Sequence, residues 1–278
     1  MTNIKAVILD WAGTSVDYGC MGPARVFVEV FSRYNMEVTL AQARIPMGLA
    51  KKDHTRVILE MPEVMEQWKA IYGKQPQEKD VEEIYSSLEP AMTDIIKDFA
   101  TPVPGLHGFI DKIKSFNIKV GTTTGYVAGM MEKLVPEAKK QGFSPDCIVS
   151  SSEVPVGRPA PYMCYLNAIK LHAYPFSHMI KIGDTVADIQ EGLNAGMWTI
   201  GLTKSGNEVG MSFDEINEAD PFIVNKLIEK AGKKLRCAGA HYIAEGIWDC
   251  IHILEEINSR IKSKELPSEF NRSHSLAV

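Results

Sequence analysis

The chain has 278 residues, of which 45% are hydrophobic and 23% charged, enough to bury one sizeable core and leave room for a second, smaller domain. A net charge of -5, with Lys and Arg scattered along the chain, provides no basic footprint and argues against a nucleic-acid partner. The five cysteines are odd in number, widely spaced and contain no C-x-x-C pair, which argues against a disulfide framework and a zinc site, and for reduced thiols in a cytoplasm.

Residues 5–11, KAVILDW, read as a short buried strand, because an apolar run of this length bounded by Gly13 is too brief for a helix. No basic region, apolar stretch and small-residue cleavage site mark an export signal. No apolar run approaches the roughly 20 residues that cross a bilayer, so a soluble protein is expected. From about residue 21 to 100 the apolar residues fall at helical spacing, in ARVFVEVFSRY, HTRVILEM, VMEQWKAIY and VEEIYSSLEPAMTDIIKDF, and predict an all-helical insertion. After Thr101 and the turn residues Pro102, Pro104 and Gly105 the pattern alternates. It predicts a helix over 105–116, strand IKVGTT, a helix from about 127, strand CIVS, a helix from about 161, strand MIKIGD, a helix over 186–195, strand WTIGL and a shorter helical region. Such alternation implies a parallel sheet covered on both faces, with ligands at the carboxyl ends of its strands. The last residues, LPSEFNRSHSLAV, are polar after Pro267 and read as a loose tail.

Asp10, Thr124 and Asp184 each fall at such a strand end, with Arg158 between the latter two. This constellation resembles the haloacid dehalogenase superfamily of phosphoryl-transfer enzymes, and the resemblance covers nearly the whole chain. It implies an α/β fold: a Rossmann-like parallel sheet core formed by residues 1–20 and 100–278, with residues 21–99 as an inserted all-helical cap. The family's first strand carries D-x-D-G-T, whose first Asp attacks phosphorus. Here the segment is Asp10-Trp11-Ala12-Gly13-Thr14, with Ala12 where the second Asp, the general acid for the leaving oxygen, normally sits. Losing that acid costs about 10² to 10⁴ in rate, so Ala12 implies a dead enzyme or a different leaving group.

The D-W-A-G-T segment, continued by Val16-Asp17-Tyr18-Gly19, resembles one branch of the superfamily, the phosphonoacetaldehyde hydrolases, whose leaving group is carbon. A carbanion is too basic to depart unaided and needs an electron sink, which a lysine imine supplies. Met47-Gly48-Leu49-Ala50-Lys51-Lys52-Asp53-His54 resembles that branch's M-G-x-x-K-x-D-H signature and implies Lys51 as the Schiff-base amine. Lys51 and His54, three apart, share a helix face while Lys52 points elsewhere, a spacing that suits an amine and its proton partner. The resemblance further implies Thr124, in Lys119–Tyr126, as a phosphoryl ligand and Arg158, in Gly157-Arg158-Pro159, as the neutralising cation. In Gly183–Asp188 it implies carboxylates that hold Mg²⁺: Asp10 and Asp184 as direct ligands with the Ala12 backbone carbonyl, and Asp188 orienting the metal shell. It sets Met47 and Tyr126 beside the substrate, and implies a homodimer joined through cap helices such as VFVEVFSRY and a place in 2-aminoethylphosphonate degradation.

Plainer readings stand beside these. Asp184 and Asp188 also suit a helix cap, His54, Met47 and Tyr126 a core, and Cys20 a small buried thiol. The apolar stripe of VFVEVFSRY also suits the cap's own interior. His107, His172, His178, His241 and His252 show no ligand spacing. Two rival functions remain: a capped phosphatase or phosphomutase acting on a phosphate ester, against which Ala12 and Lys51 speak, and a silent binding protein that kept the fold.

Overall fold

The computed structural model describes residues 2–270. Six parallel strands, β1 (Ala6–Leu9), β2 (Lys119–Thr124), β3 (Cys147–Ser150), β4 (Met179–Gly183), β5 (Trp198–Leu202) and β6 (Tyr242–Ala244), form one sheet in the order β3-β2-β1-β4-β5-β6. This is the doubly wound order in which the chain reverses direction across the sheet at the first strand. Asp10 follows β1 and its N–H donates to the Ile182 carbonyl of β4, 3.0 Å away, so the central strand delivers its terminal carboxylate to the crevice at the switch point. The strands are almost wholly buried, as helices on both faces require.

Five helices follow β1 before the chain returns to the sheet side at Thr101: α1 (Met21–Arg33), α2 (Leu40–Arg44), α3 (Lys51–Leu59), α4 (Pro62–Tyr72) and α5 (Glu78–Ile95). They form a helical cap around Phe27, Val30, Phe31, Ile58, Trp68, Ile84 and Leu88. The two chain crossings into this cap run side by side: Val16 bridges Pro102, and the Asp17 N–H donates to the Thr101 carbonyl at 3.1 Å. Positive φ at Asp17, Gly19 and Cys20 turns the first crossing, and the Asp17 carboxylate accepts from the Met21 and Gly22 N–H groups, which start α1. The remaining helices, α6 (Leu106–Ser115), α7 (Ala128–Lys140), α8 (Tyr162–Leu171), α9 (Val186–Asn194), α10 (Phe213–Glu218), α11 (Pro221–Cys237) and α12 (Cys250–Lys262), cover the sheet.

Three sequence expectations are corrected. The strand expected over residues 5–11 stops at Leu9, leaving Asp10 and Trp11 in the loop. The end of the chain holds a sixth strand, β6, and three helices, where the sequence suggested only a shorter helical region; three residues, YIA, are too few to show a period. Residues 266–270 are not a loose tail: Pro267 is buried, its carbonyl accepts from His241 Nε2 at 2.9 Å, and Phe270 packs on Trp198, His241 and Tyr242. Residues 271–278 of that expected tail lie outside the described residues.

Candidate active site

The loop after β1 folds back on itself, with the Ser15 hydroxyl donating to the Asp10 carbonyl at 2.7 Å and the Thr14 hydroxyl to Asp184 Oδ1 at 3.0 Å. Asp184 follows β4, and its Oδ2 accepts the Asn207 N–H at 2.7 Å. One oxygen each from Asp10, Asp184 and Asp188 lies within 4.8 Å of the others. Asp188, in the first turn of α9, is spent on protein partners: Oδ1 accepts Lys181 Nζ at 2.7 Å and pairs with Arg158 at 3.1 Å, and Oδ2 accepts the Thr185 hydroxyl at 2.6 Å.

Arg158 threads this cluster. Nη2 donates to Asp10 Oδ1 at 2.6 Å and to the Thr123 hydroxyl oxygen at 2.7 Å, and Nε donates to Glu191 Oε2 at 3.0 Å. Thr123 in turn donates to the same Glu191 oxygen at 2.9 Å. Four carboxylates and two cations, Arg158 and Lys181, are thus buried together, two negative charges in excess. Burial pushes the Asp10 and Asp184 carboxyls above their usual range, against Arg158 for Asp10 and with Asp10 and Asp188 adding to the effect at Asp184. Burial opposes charge on Asp188 too, but Arg158 and Lys181 outweigh it and hold that carboxyl low. An uncompensated pair of buried charges is costly. A divalent cation among hard oxygen ligands balances it, so the residues present fit such an ion. The Ala12 carbonyl accepts no hydrogen bond among the described residues.

The other wall comes from the cap. Lys51 begins α3, is 4% exposed, and holds its ammonium 4.9 Å from the centre of the Tyr126 ring and 5.9 Å from that of Phe27. Burial brings its pKa down to about 8. Lys52, by contrast, faces out to Glu78 and Glu82. The preceding loop presses onto the core at Gly48, whose φ is +92° and where an added Cβ would lie 2.3 Å from the Thr185 hydroxyl oxygen; only glycine fits there. The Thr124 hydroxyl oxygen accepts the Tyr126 N–H at 3.1 Å and keeps its own proton for another acceptor.

Asp10, Ala12, Cys20, Met47, Lys51, Thr124, Tyr126 and Arg158 enclose one cavity of about 20 Å³, the room of roughly one water. As it stands the space is too small for anything much larger. Asp184 and Asp188 stand behind Asp10, outside the lining. His54 does not reach the cavity either. Its ring stacks on Phe27 at 3.7 Å, and Nε2 donates to the Ala43 carbonyl at 2.8 Å, which fixes the tautomer, because a carbonyl only accepts. Nδ1 therefore carries a lone pair with no partner among the described residues. Burial and the neighbouring Lys51 keep the ring neutral, far below its usual pKa. Burial likewise raises the Cys20 thiol well above its usual range, so it stays protonated in the wall.

Thr123, Lys181, Glu191 and Asn207 were not singled out in the sequence. Lys181 carried a signal, a charge inside the apolar run MIKIG, since a buried lysine requires a partner. The others gain their roles only from contacts across the fold.

The model of the haloacid dehalogenase-like hydrolases matches residues 4–196, and the chain belongs to that family. Among curated relatives, the phosphonoacetaldehyde hydrolase of Nitratidesulfovibrio vulgaris is 46% identical over 264 residues, 95% of this chain and 94% of its own. That of Bacillus mycoides is 42% identical over 92% of this chain and 97% of its own. A solved phosphonoacetaldehyde hydrolase-like protein from Oleispira antarctica superposes with a TM-score of 0.93 at 36% identity, over 95% of this chain and 96% of its own. Within its superfamily the chain belongs to the phosphonoacetaldehyde hydrolases.

Proposed function

We propose that the protein hydrolyses phosphonoacetaldehyde to acetaldehyde and inorganic phosphate, through an imine on Lys51 and a phosphorylated Asp10. The observation that carries this reading is one small cavity walled by a desolvated lysine and a strand-end aspartate, with Ala12 where a phosphatase of this superfamily keeps its acid. At neutral pH an amine with a pKa of about 8 is free in about one molecule in ten, against roughly one in 2,500 for an ordinary lysine.

The free Lys51 Nζ attacks the aldehyde carbon, and loss of water leaves a protonated imine beside the C–P bond. An oxygen of Asp10 attacks phosphorus in line. The C–P bond breaks with its electron pair flowing into the C=N bond, which gives an enamine on Lys51 and a phosphoryl group on Asp10. Protonation of the enamine carbon and addition of water return Lys51 and release acetaldehyde; a second water releases phosphate from Asp10. Arg158 and the Thr124 hydroxyl face the phosphoryl oxygens as their charge shifts. Met47 and Tyr126 exclude water around the imine. His54, expected from its spacing to pass the amine's proton, is turned towards Phe27 and Ala43 and instead holds the start of α3 in place. Asp10, Asp184 and the Ala12 carbonyl, with Asp188 behind, would hold Mg²⁺, which would supply the positive charge that lets an anionic carboxylate approach an anionic phosphonate.

Residues 21–99 act in this reading as a cap that opens over a core of residues 1–20 and 100–278. The enzyme works in the cytoplasm, in 2-aminoethylphosphonate degradation, without a nucleic-acid partner and as a homodimer through the cap. The dimer contact does not use the apolar stripe of α1, because Phe27, Val30 and Phe31 are buried within the subunit; light scattering at twice the chain mass is the expected result, and a monomer sinks it.

The deciding experiment gives the protein phosphonoacetaldehyde with borohydride and maps the modified peptide. A two-carbon adduct on Lys51, with phosphate released, is expected. Activity on phosphate esters with no trapped lysine would instead make this a phosphatase. Chelation by EDTA is expected to slow phosphate release by about 10²-fold or more and to lower Tm, since an ion bound only by the folded state stabilises it. Added Mg²⁺ restores both; an unchanged rate and Tm would remove the metal from the reading.

A further inference from the structure

The cap meets the core at a second place, outside the cavity, where α2 ends on Arg44. Its Nη1 donates to the Gly19 carbonyl at 2.8 Å and to Asn207 Oδ1 at 3.1 Å, and its Nη2 to the Gly210 carbonyl at 3.0 Å. Asn207 answers through Nδ2, which donates to the Arg44 carbonyl at 3.1 Å. At Gly210, with φ +67°, an added Cβ would lie 2.8 Å from the Arg44 guanidinium carbon, so the loop after β5 is shaped around this side chain.

Both ends of this contact lead into the site. On the core side, Asn207 is 2% exposed and its backbone N–H is the donor to Asp184 Oδ2. The same loop holds the segment after the nucleophile: the Ser205 hydroxyl donates to the Gly13 carbonyl at 3.0 Å, and the Ser205 carbonyl accepts the Gly19 N–H at 2.8 Å. On the cap side, the carbonyl of Ala43, next to Arg44, accepts from His54 Nε2 on the helix that Lys51 begins. One line of hydrogen bonds therefore joins the Lys51 helix to Asp184 without crossing the cavity. Its middle link, between a cap residue and a core loop, exists only while the cap is closed.

We infer that Arg44 and Asn207 are positioning residues for the reaction: their reciprocal bond seats the Lys51 helix and the Asp184 loop together when the cap closes. This rests on the proposed chemistry for the roles of Lys51 and Asp184, but the seating itself needs no substrate. A pair that merely adds stability would shift Tm and leave the site's chemistry alone.

The test uses Arg44→Ala, Asn207→Ala and the double variant as full-length, Mg²⁺-loaded proteins. Three quantities are measured: kcat for phosphate release, the rate at which methyl acetimidate labels Lys51 as mapped by mass spectrometry, and Tm. Each single variant is expected to lose about tenfold in kcat and to label Lys51 about threefold faster, and the double variant to lose no more than the worse single, because both act through one link. Values of kcat and labelling within about twofold of wild type in the folded variants, or losses that multiply in the double variant, overturn the proposal. If Arg44→Ala does not fold, Asn207→Ala decides alone, since it removes both reciprocal bonds to Arg44 and keeps the backbone N–H that meets Asp184. A wild-type protein that released no phosphate from phosphonoacetaldehyde would sink the proposed activity instead, and the labelling rates would still report on the seating.

Discussion

Replacing Lys51 by arginine lowers phosphonoacetaldehyde turnover by about 10⁴-fold or more, the scale of losing a covalent catalyst. Arginine keeps a positive charge, but its planar guanidinium stays protonated and forms no imine. The substitution therefore separates covalent chemistry from simple attraction of an anion. Phosphate release measured beside Tm gives the answer, and activity within about tenfold of wild type in a folded protein would end the imine route. The wild-type protein should also show its amine in the pH dependence of borohydride trapping. With the pKa brought down to about 8 by burial, the free amine is scarce below that pH and abundant above it, so trapping accelerates as pH rises through 8 and then levels. An ordinary lysine would keep accelerating to about pH 10.

Asp10→Asn should be equally damaging to phosphate release, about 10⁴-fold or more, yet should leave imine formation standing. The amide keeps the size of the carboxylate and its acceptor towards Arg158, while losing the nucleophilic charge. The readout is the chemical nature of the trapped group. In the wild type the adduct on Lys51 has lost its phosphorus; in Asp10→Asn it should retain the phosphonate, because the C–P bond stays whole. A phosphorus-free adduct in the variant would assign the nucleophile elsewhere.

Much of this arrangement was legible because its signals are local. Apolar runs such as AVIL and MIKIG mark strands wherever they pair, and Asp10, Thr124 and Asp184 stand at strand ends by position alone. The segment around Lys51 carried its own evidence in the three-residue spacing to His54, although the fold turns His54 towards Phe27 and Ala43 rather than the cavity. What stayed hidden depends on distance. Glu191 matters because it grips Arg158 from 33 residues away, and Asn207 because it touches Arg44 across 163. No spacing rule reaches that far. Strand β6 was missed for the opposite reason, since three residues cannot display a pattern.

The central position of β1 also orders events during synthesis. Its first pairing partner is β2, where Ala6 meets Lys119, and its second is β4, where Ala6 meets Met179. At 5–20 residues per second, roughly 5 to 20 s pass before β2 follows β1 out of the ribosome, and the sheet's middle strand stays without a neighbour for that time. The inserted helices between them pack chiefly on one another, α1 and α3 against α5, and all of them leave the ribosome before β2. The nascent chain therefore has the whole segment that carries Lys51 in hand well before the strand that ends at Asp10 has a sheet to sit in.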